Sequence, residues 1–569
     1  MLCQRGKKDK HMSDQIRFRQ GVISIMVGLC LLSAVIAEAQ LTDVTQTTPN
    51  VPGGAIGKSL QEQVGEGRGD ALTPGSSIYL IRRDPARSIR RGRQLFQRKF
   101  TDAQGLGPRV EANASGNIHD NAALGAGIAD SCAGCHGRPR GSAGFGGDVA
   151  TRPDSRDAPH LFGLGLIEML ADEMTAELRR IRKNAIRAAR RRDRRVTRRL
   201  ESKGINFGRI IAHPNGRVDT SDVEGVDPDL RVKPFFAQGC SFSIREFIVG
   251  ALKDEMGLES PDPVLCRATD PNNPRRITSP SGFVFDPDLD TFNRPPVCDA
   301  HEDGDDDGVV NEVDPALVDH MEFYLLNYFK PGQSEVDRYV RRGSRIFEEI
   351  GCTACHVRNL TIKRDRRIAD VDTVYDEERG IFNRLFATAS TRFEIVDDGE
   401  PFPQLVPMGE RFVVKNVFTD LKRHDLGPAF YERNYDGSLQ REFMTEPLWG
   451  VGSTAPYGHD GRSINLKEVI LRHGGEAARA RRRFARLHVV RQRMVMDFLR
   501  SLVLFPPDDT ASNLNPGRPG TRNPQDPDEH GTINLGALFQ LEDEGAESRE
   551  CIDGIRLRRL EAKDTILSG

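Results

Sequence analysis

The amino-acid sequence predicts a mainly α-helical protein made of two similar domains with long, loop-rich insertions. Two observations support this prediction: the pattern Cys-x-x-Cys-His occurs twice, and each copy follows the same helical pattern. The two copies start 220 positions apart, at 132 and 352, so each can belong to its own domain. A chain of 569 residues also exceeds one compact core and is typical of several domains.

The two pentapeptides, 132–136 and 352–356, predict two covalently bound haem c groups. The spacing lets each pair of thiols reach the two vinyl groups of a haem, and the next histidine then lies under the iron. A single Cys-x-x-Cys could be a zinc or redox pair, but two complete copies favour haem. The predicted attachment residues are Cys132, Cys135, Cys352 and Cys355, and the predicted axial ligands are His136 and His356.

The helical pattern before each pentapeptide is a glycine followed, three and four residues later, by an aliphatic residue and phenylalanine. It occurs at 92–96 and 343–347. These residues share one helical face, and small c-type cytochromes pack such a face against a second, C-terminal helix. We therefore predict two cytochrome c-like domains. The predicted division is a signal peptide at 1–39, a flexible leader at 40–80, domains at 81–330 and 331–505, and a wrapping tail at 506–569.

The N-terminal segment predicts export. Arg17 and Arg19 precede an apolar run at 21–37, and Ala37-Glu38-Ala39 has the small-x-small pattern of a signal-peptidase site. The alternative is an uncleaved membrane anchor, because the run is close to the minimum length that spans a bilayer. Attachment of c-type haem outside the inner membrane also predicts a periplasmic protein of a Gram-negative-type envelope.

Four cysteines are left after the signal segment and the haem motifs are set aside: Cys240, Cys266, Cys298 and Cys551. An even number in an oxidising compartment is compatible with disulfides. Cys266 and Cys298 flank a Pro- and Asp-rich segment that a disulfide would close, and buried thiols are the alternative.

Charge is balanced overall but clustered locally. The chain has 81 basic and 83 acidic side chains, a net charge of −2, so the molecule as a whole is not a polyanion binder. The stretch 179–203 is strongly basic and has a helical pattern, with a predicted buried stripe at Leu178, Ile181, Ala185, Ile186 and Ala189. It predicts either docking of an acidic electron donor or anionic lipid, or a solvated helix face.

The segment 303–314 has the spacing of a calcium-binding loop. Oxygen ligands fall at loop positions 1, 3, 5, 9 and 12, and glycine falls at position 6. An acidic turn that binds nothing is the alternative. The predicted calcium ligands are Asp303, Asp305, Asp307, Asn311 and Asp314.

Several blocks resemble the exported di-haem oxidoreductase family, which is related to the bacterial di-haem cytochrome c peroxidases. They include 131–138, 157–168, 243–247 and the segment from Thr445 to His473, with its Ala455-Pro456-Tyr457-Gly458-His459-Asp460-Gly461 motif. The resemblance covers residues 85–505. It implies a peroxidase-like oxidoreductase that takes electrons from a small redox protein or cytochrome.

The resemblance also assigns an iron ligand. The peroxidases place a methionine fourteen positions after the histidine of the His-Asp-Gly motif, as the sixth ligand of the electron-transfer haem. This chain has His473 there, fourteen positions after His459. We therefore expect His356 and His473 to ligate the second haem from both sides, which lowers its potential relative to methionine ligation. His459 is expected to hold the loop.

The first haem is then the reactive one, with His136 proximal and an open distal side. Peroxide bound there needs a group that moves its proton, and the candidates are Glu168 and His160, with Arg156 nearby. Structural roles are the alternatives for Glu168 and His160. His213 could instead close the site as a ligand, and Trp449 could relay electrons between the haems or simply pack.

The predicted function is peroxide reduction, or peroxide-dependent oxidation of a substrate, at the open haem. A di-haem electron carrier without catalysis is the main alternative, and a haem-based sensor or assembly partner is a third. No nucleic acid is expected as a partner.

Overall fold

The computed structural model describes residues 64–100, 131–136 and 156–504, apart from 296, 304–309, 311, 329, 379–383 and 435, and the pairs 514–515, 532–533 and 566–567. The predicted signal peptide at 1–39 and nearly all of the predicted tail at 506–569, including Cys551, lie outside this part of the chain. Within it, the helices are too short or too polar to cross a bilayer.

The prediction of a mainly α-helical fold is wrong. Helices contain 37% of the residues, and strands contain another 17% in several small sheets. The strands lie in the segments between and after the two haem motifs, and most of them form two-stranded antiparallel sheets. The fold is therefore a mixture of helix pairs and small antiparallel sheets.

The first helix pair holds the first Gly-Phe pattern. Helix α1 (Ser77–Arg83) leads into α2 (Pro85–Gln97), whose first turn is capped by the Asp84 carboxylate. Helix α2 crosses α7 (Pro315–Asn327) at Gly92, where a Cβ atom would overlap the carbonyl of His320. Leu95 and Phe96 are buried beside this crossing.

The second helix pair repeats this arrangement. Helix α8 (Arg338–Glu349), capped by Asp337, crosses α11 (Val489–Ser501) at Gly343, where a Cβ atom would overlap the carbonyl of Met494. The rings of Phe347 and Phe498 pack with centroids 5.5 Å apart. Both Gly-Phe helices thus pack on a later helix, as the repeated pattern predicts.

The basic stretch is only partly helical. Helix α4 (Leu164–Arg192) ends where Asp193 adopts a left-handed conformation, with φ of 46°. The chain continues into β1 (Val196–Ser202), β2 (Ile205–Ala212) and β3 (Val218–Asp219), an antiparallel sheet in that order. The helical prediction is therefore wrong after residue 192, because the left-handed Asp193 ends the helix and the chain from Val196 pairs with β2 instead. The predicted stripe is buried at Leu178, Ala185 and Ala189, and half-buried at Ile181 and Ile186.

The segment between this sheet and α7 supplies the rest of the first half. It contains α5 (Ile244–Met256), α6 (Pro263–Ala268) and a small sheet of β4 (Ile277–Thr278) and β5 (Val284–Phe285). Cys266 and Cys298 form a disulfide with an S–S distance of 2.09 Å, which resolves the alternative that the sequence leaves open.

One buried cation joins three of these helices. The Arg245 guanidinium on α5 is fully buried and pairs with three carboxylates. These are Asp262 at 2.5 Å, Asp319 at 2.9 Å and Glu322 at 2.7 Å. Asp262 caps α6, and the other two lie on α7, so the cluster links α5, α6 and α7.

The second half is rich in two-stranded sheets. Helices α9 (Leu466–Arg472) and α10 (Ala478–Ala485) precede α11. In the first half, the short helix α3 (Cys132–His136) holds the first haem motif. The antiparallel pairs are β6 (Gly332–Gln333) with β17 (Leu502–Val503), β7 (Leu360–Ile362) with β12 (Phe412–Val414), β8 (Ala369–Tyr375) with β9 (Leu385–Thr391), β10 (Phe393–Val396) with β11 (Gln404–Pro407), β13 (Arg423–Asp425) with β16 (Glu442–Met444), and β14 (Glu432–Arg433) with β15 (Leu439–Gln440). Strand β18 (Leu514–Asn515) pairs with β19 (Thr532–Ile533), and β20 (Ile566–Leu567) pairs with β9 as the third strand of its sheet.

Replacing the glycine at the second helix crossing should destabilise the protein. Gly343→Ala puts a methyl group against the Met494 carbonyl, and the resulting overpacking should lower the free energy of unfolding by about 1–3 kcal/mol. Arg345→Ala is the matched control, because Arg345 lies exposed on the same helix and should change stability by less than about 0.5 kcal/mol. Urea unfolding measures both; equal stabilities would contradict the tight crossing.

Removing the buried cation should cost more than removing an exposed one. Arg245→Met leaves three buried carboxylates uncompensated and should lower the free energy of unfolding by about 3–5 kcal/mol. Arg209→Met breaks an exposed ion pair with Asp222 and should cost about 1 kcal/mol or less. Thermal or urea unfolding compares the two, and similar losses would show that the Arg245 cluster is dispensable.

Candidate functional site

Both Cys-x-x-Cys-His motifs open into one cavity. Its volume is about 2150 Å³, and its wall includes Cys132, Cys135, Cys352 and Cys355. A pocket for a single drug-sized ligand has about 300–1,000 Å³. The cavity is therefore large enough for more than one cofactor, and both halves of the chain contribute to its wall.

The first motif presents its histidine to the cavity in a fixed orientation. The His136 Nδ1–H donates to the carbonyl oxygen of Pro159 over 2.7 Å, which leaves Nε2 as the ring's lone-pair nitrogen. The ring packs edge-on against Phe247 of α5, with centroids 6.4 Å apart. Burial lowers the pKa of His136, so the ring is neutral, the state in which histidine binds a metal.

The second motif uses the same device. The His356 Nδ1–H donates to the carbonyl oxygen of Phe418 over 3.0 Å, and Phe347 of α8 packs beside the ring. Burial lowers the pKa of His356 to about 4, with a contribution from the nearby His473. This imidazole is also neutral, and its Nε2 is the nitrogen left to face a cofactor.

His473 lies on the wall of the same cavity, directly after α9 ends at Arg472. Its Nδ1–H donates to the carbonyl oxygen of Val469 over 2.7 Å, and Phe430 packs edge-on against the ring with centroids 5.4 Å apart. Burial lowers the pKa of His473. All three histidines predicted as iron ligands are thus anchored through Nδ1 and neutral, as metal-ligating histidines are in proteins.

These residues fit haem. Each motif pairs two cysteines with an anchored, neutral histidine at the edge of a large cavity lined by aromatic and aliphatic side chains. Neutral imidazole is an axial ligand that haem iron accepts. The donor set and the space therefore suit two haems, with His136 at one and His356 and His473 at the other.

Glu168, a predicted proton-transfer residue, lies on α4 outside the cavity wall. Its Oε1 accepts from the backbone N–H of Ile244 over 2.7 Å, and its Oε2 pairs with Arg366 at 2.5 Å. Burial raises its pKa to about 7, although Arg366 opposes the shift. These contacts hold the start of α5, and the catalytic role of Glu168 stays a prediction.

His160, the second predicted proton-transfer residue, does line the cavity. Its Nε2–H donates to the Trp449 carbonyl over 3.0 Å, and its Nδ1 accepts from the Phe162 N–H over 3.3 Å. Burial lowers the pKa of His160 to about 4, so the ring is neutral and both nitrogens are engaged. Its catalytic role also stays a prediction.

Trp449 is buried beside His160 and also lines the cavity. Gly163 lies against its indole: a Cβ there would come within 2.7 Å of two ring carbons, and the residue has φ of +73°. Only glycine satisfies both conditions without strain. The loop before α4 therefore packs tightly against the Trp449 indole.

A polar cluster lies on the cavity wall between the segments that hold His136 and His473. Arg156 forms a bidentate ion pair with Glu432, at 2.8 and 2.6 Å, and the Glu432 carboxylate also contacts His459 Nε2 at 3.0 Å. The His459 ring stacks on Phe443 with centroids 3.9 Å apart. His459 therefore holds the surroundings of the cavity, as the sequence predicts.

Glu446 is the carboxyl group of this region that the sequence analysis misses. Its side chain is exposed to the space inside the cavity. The protein around the cavity desolvates the carboxylate and raises its pKa to about 7, and Arg156 opposes the shift. It lies three residues before Trp449 in the block that carries the family resemblance, so position in that block was the available signal. A carboxyl that titrates near neutral pH is suited to proton transfer.

The remaining predicted ligands are placed as follows. His213 lies in the turn between β2 and β3 and does not line the cavity. Asp314 caps α7 by accepting from the Ala316 N–H over 2.8 Å. Asp305, Asp307 and Asn311 lie outside the described residues, as do 304, 306 and 308–309, so the calcium site, with Asp303 at its start, stays a prediction.

The comparison with protein families agrees with the sequence analysis. Residues 407–502 match the family described as "Di-haem oxidoreductase, putative peroxidase". This segment is similar to the di-haem oxidoreductase family. It contains Glu446, Trp449, His459 and His473, and the match confirms the resemblance drawn from the sequence.

Other comparisons add little to the di-haem oxidoreductase assignment. No curated protein sequence matches the chain. Among solved structures, a hydrazine synthase of Kuenenia stuttgartiensis, pressurised with 20 bar xenon, aligns at 14% identity with a TM-score of 0.20. The alignment covers 34% of this chain and 57% of that chain, so it spans little more than half of the hydrazine synthase chain. A similarity this low supports neither a shared fold nor a shared activity.

Replacing His473 tests its predicted role as a ligand of the second haem. His473→Ala should remove one axial imidazole and convert a low-spin, bis-histidine haem into a high-spin one. Low-temperature EPR of the ferric protein measures the change. His459→Ala is the control, because His459 is held by Glu432 and Phe443 and should leave the bis-histidine signal. Persistence of that signal in His473→Ala would remove His473 from the ligand set.

Proposed function

We propose that the protein is an exported di-haem c-type oxidoreductase that reduces peroxide, or uses it to oxidise a substrate. His136 would hold an open haem that supplies the redox chemistry of the reaction, and His356 and His473 would hold a second haem that supplies electrons. One observation carries the proposal: both motifs and His473 line a single cavity, with all three imidazoles anchored through Nδ1 and neutral.

Covalent attachment belongs to this proposal. Cys132 and Cys135 would hold the first haem, and Cys352 and Cys355 the second, through thioether bonds to the vinyl groups. Haem supplies the redox chemistry that the side chains lack. The protein would hold each haem, exclude bulk water and donate protons to the bound peroxide.

Proton transfer is assigned to Glu446. Its carboxyl group faces the cavity near Arg156, and its pKa of about 7 leaves a large protonated fraction at neutral pH. A protonated carboxyl can donate to the leaving oxygen of a peroxide and be reprotonated from solvent. Arg156 is fixed by its bidentate pair with Glu432, so its charge stays close to the carboxyl without moving.

The second haem is proposed as the electron store. Two imidazole ligands, from His356 and His473, give a lower potential than one imidazole and one thioether. Electrons would come from a small redox protein or cytochrome. We also propose a periplasmic location, with the segment at 21–37 as signal or anchor, and a structural calcium ion in the loop at 303–314.

A second candidate function is a di-haem electron carrier without catalysis. The observation that favours it is the engagement of Glu168 and His160 in structural hydrogen bonds. EPR separates the two functions. One high-spin signal and one bis-histidine signal, with the high-spin signal retained on half-reduction, support the enzyme. Two low-spin signals in both oxidation states support the carrier and contradict the proposal.

The pH dependence of peroxide turnover tests Glu446. If the protonated carboxyl is the proton donor, kcat should fall as pH rises through about 7, the pKa of Glu446. Glu446→Gln should remove this pH-dependent limb and lower kcat by about 10²–10⁴-fold. Stopped-flow turnover from pH 5 to 9, with a small-molecule electron donor, measures both effects.

Glu442→Gln is the matched control, because Glu442 is an exposed carboxylate four residues earlier, at the start of β16. It should keep the parent profile. Glu168→Gln, measured in parallel, tests the other candidate. Unchanged kcat and pH profile in Glu446→Gln would exclude Glu446 as the proton donor, and loss of turnover only in Glu168→Gln would assign the role there.

A further inference from the structure

A second surface of the molecule is unrelated to the cavity. Where α4 ends and β1 begins, seven arginines are exposed, and we call this surface the basic corner. Its members are Arg187, Arg190, Arg191, Arg192, Arg194, Arg195 and Arg217.

These arginines come together through the fold. The pairing of Val196 with Ala212, and of Ala212 with Val218, brings the start of β1 next to the turn between β2 and β3. The guanidinium of Arg190 lies against Gly216 in that turn, beside Arg217. The helix end, the strand start and the turn therefore form one surface.

The basic corner is poorly neutralised. Asp193 is the only acidic residue between 178 and 200, and Asp219 is the nearby acid whose pKa Arg217 helps to lower. In the described part of the chain, none of the seven guanidinium groups forms an ion pair within 4.0 Å, whereas Arg209 on β2 pairs with Asp222. The positive charge is thus available to an external anion.

The surface lacks the apolar centre of a protein interface. Among the described residues from 179 to 219, no large hydrophobic side chain is exposed. Stable protein partners usually bury aromatic or aliphatic anchors at the middle of the contact. An anionic bilayer needs no such anchor, and arginine forks match phosphate oxygens in two parallel hydrogen bonds.

The position of the corner also separates it from electron transfer. Helix α4 begins at Leu164 on the cavity wall and ends at Arg192; its 29 residues give a length of about 43 Å. An electron donor bound at the corner would lie at the far end of this helix from the cavity.

We propose that the basic corner docks the protein onto an anionic phospholipid surface. The N-terminal apolar run at 21–37, whether signal or anchor, brings the chain to a membrane, where the corner meets phosphate headgroups. Binding is electrostatic and peripheral, so it should weaken strongly at 0.5 M NaCl, about three times physiological ionic strength.

Vesicle co-sedimentation of the haem-loaded protein tests the proposal. Vesicles of phosphatidylglycerol and phosphatidylethanolamine are compared with vesicles of phosphatidylcholine alone, so that binding through the N-terminal run cancels. The double variant Arg191→Gln and Arg195→Gln should reduce the partition coefficient on anionic vesicles about 30-fold. The haem spectrum checks that the variant is folded.

The matched control changes the same charge on another exposed basic helix, with Arg482→Gln and Arg486→Gln at the end of α10. This control should retain anionic-vesicle binding. Equal losses in both variants would show only a general charge effect and overturn the proposal. Binding to neither vesicle, or salt-sensitive binding to an acidic protein or a DNA duplex with none to anionic vesicles, would also overturn it.

Discussion

The buried guanidinium of Arg245 is the interaction on which the first half of the molecule depends. A fully buried cation is costly unless carboxylates surround it, and Asp262, Asp319 and Glu322 meet that need only when α5, α6 and α7 are together. The residues beside it in sequence gain their positions from this cluster: Glu246 accepts hydrogen bonds near the cavity, and Phe247 packs on His136. A buried charge two residues before Phe247 thus helps to set one wall of the site.

A second constraint is the backbone hydrogen bond that holds each of the three cavity histidines. They lie on different elements, yet each donates Nδ1–H to a backbone carbonyl, from Pro159, Phe418 or Val469. Backbone carbonyls are fixed by the fold, so the fold itself sets the orientation of each ring. The same logic applies to Arg156, whose bidentate pair with Glu432 holds its charge near Glu446.

Features that depend on interactions between residues close in sequence could be predicted, and features that depend on residues distant in sequence could not. The Gly-Phe crossings and the family resemblance rest on short patterns with local causes, and both were predicted correctly. The sheets were missed because strands such as β7 and β12 pair across gaps that a sequence window does not span, and because Arg-rich β1 shares its composition with α4. Glu446 was missed because its raised pKa comes from enclosure by segments distant in sequence. In the sequence alone, Glu168 and Glu446 are equally plausible proton donors.

The crossing of α2 with α7 has a consequence for how the protein is assembled. Helix α2 precedes the first haem motif, but its partner α7 follows the basic helix, the β1–β3 sheet, α5 and α6. A chain synthesised from its N-terminus therefore cannot form this helix crossing until all of these segments have appeared. Under the proposed function, haem could be attached at Cys132 and Cys135 before the late partner helix packs against α2.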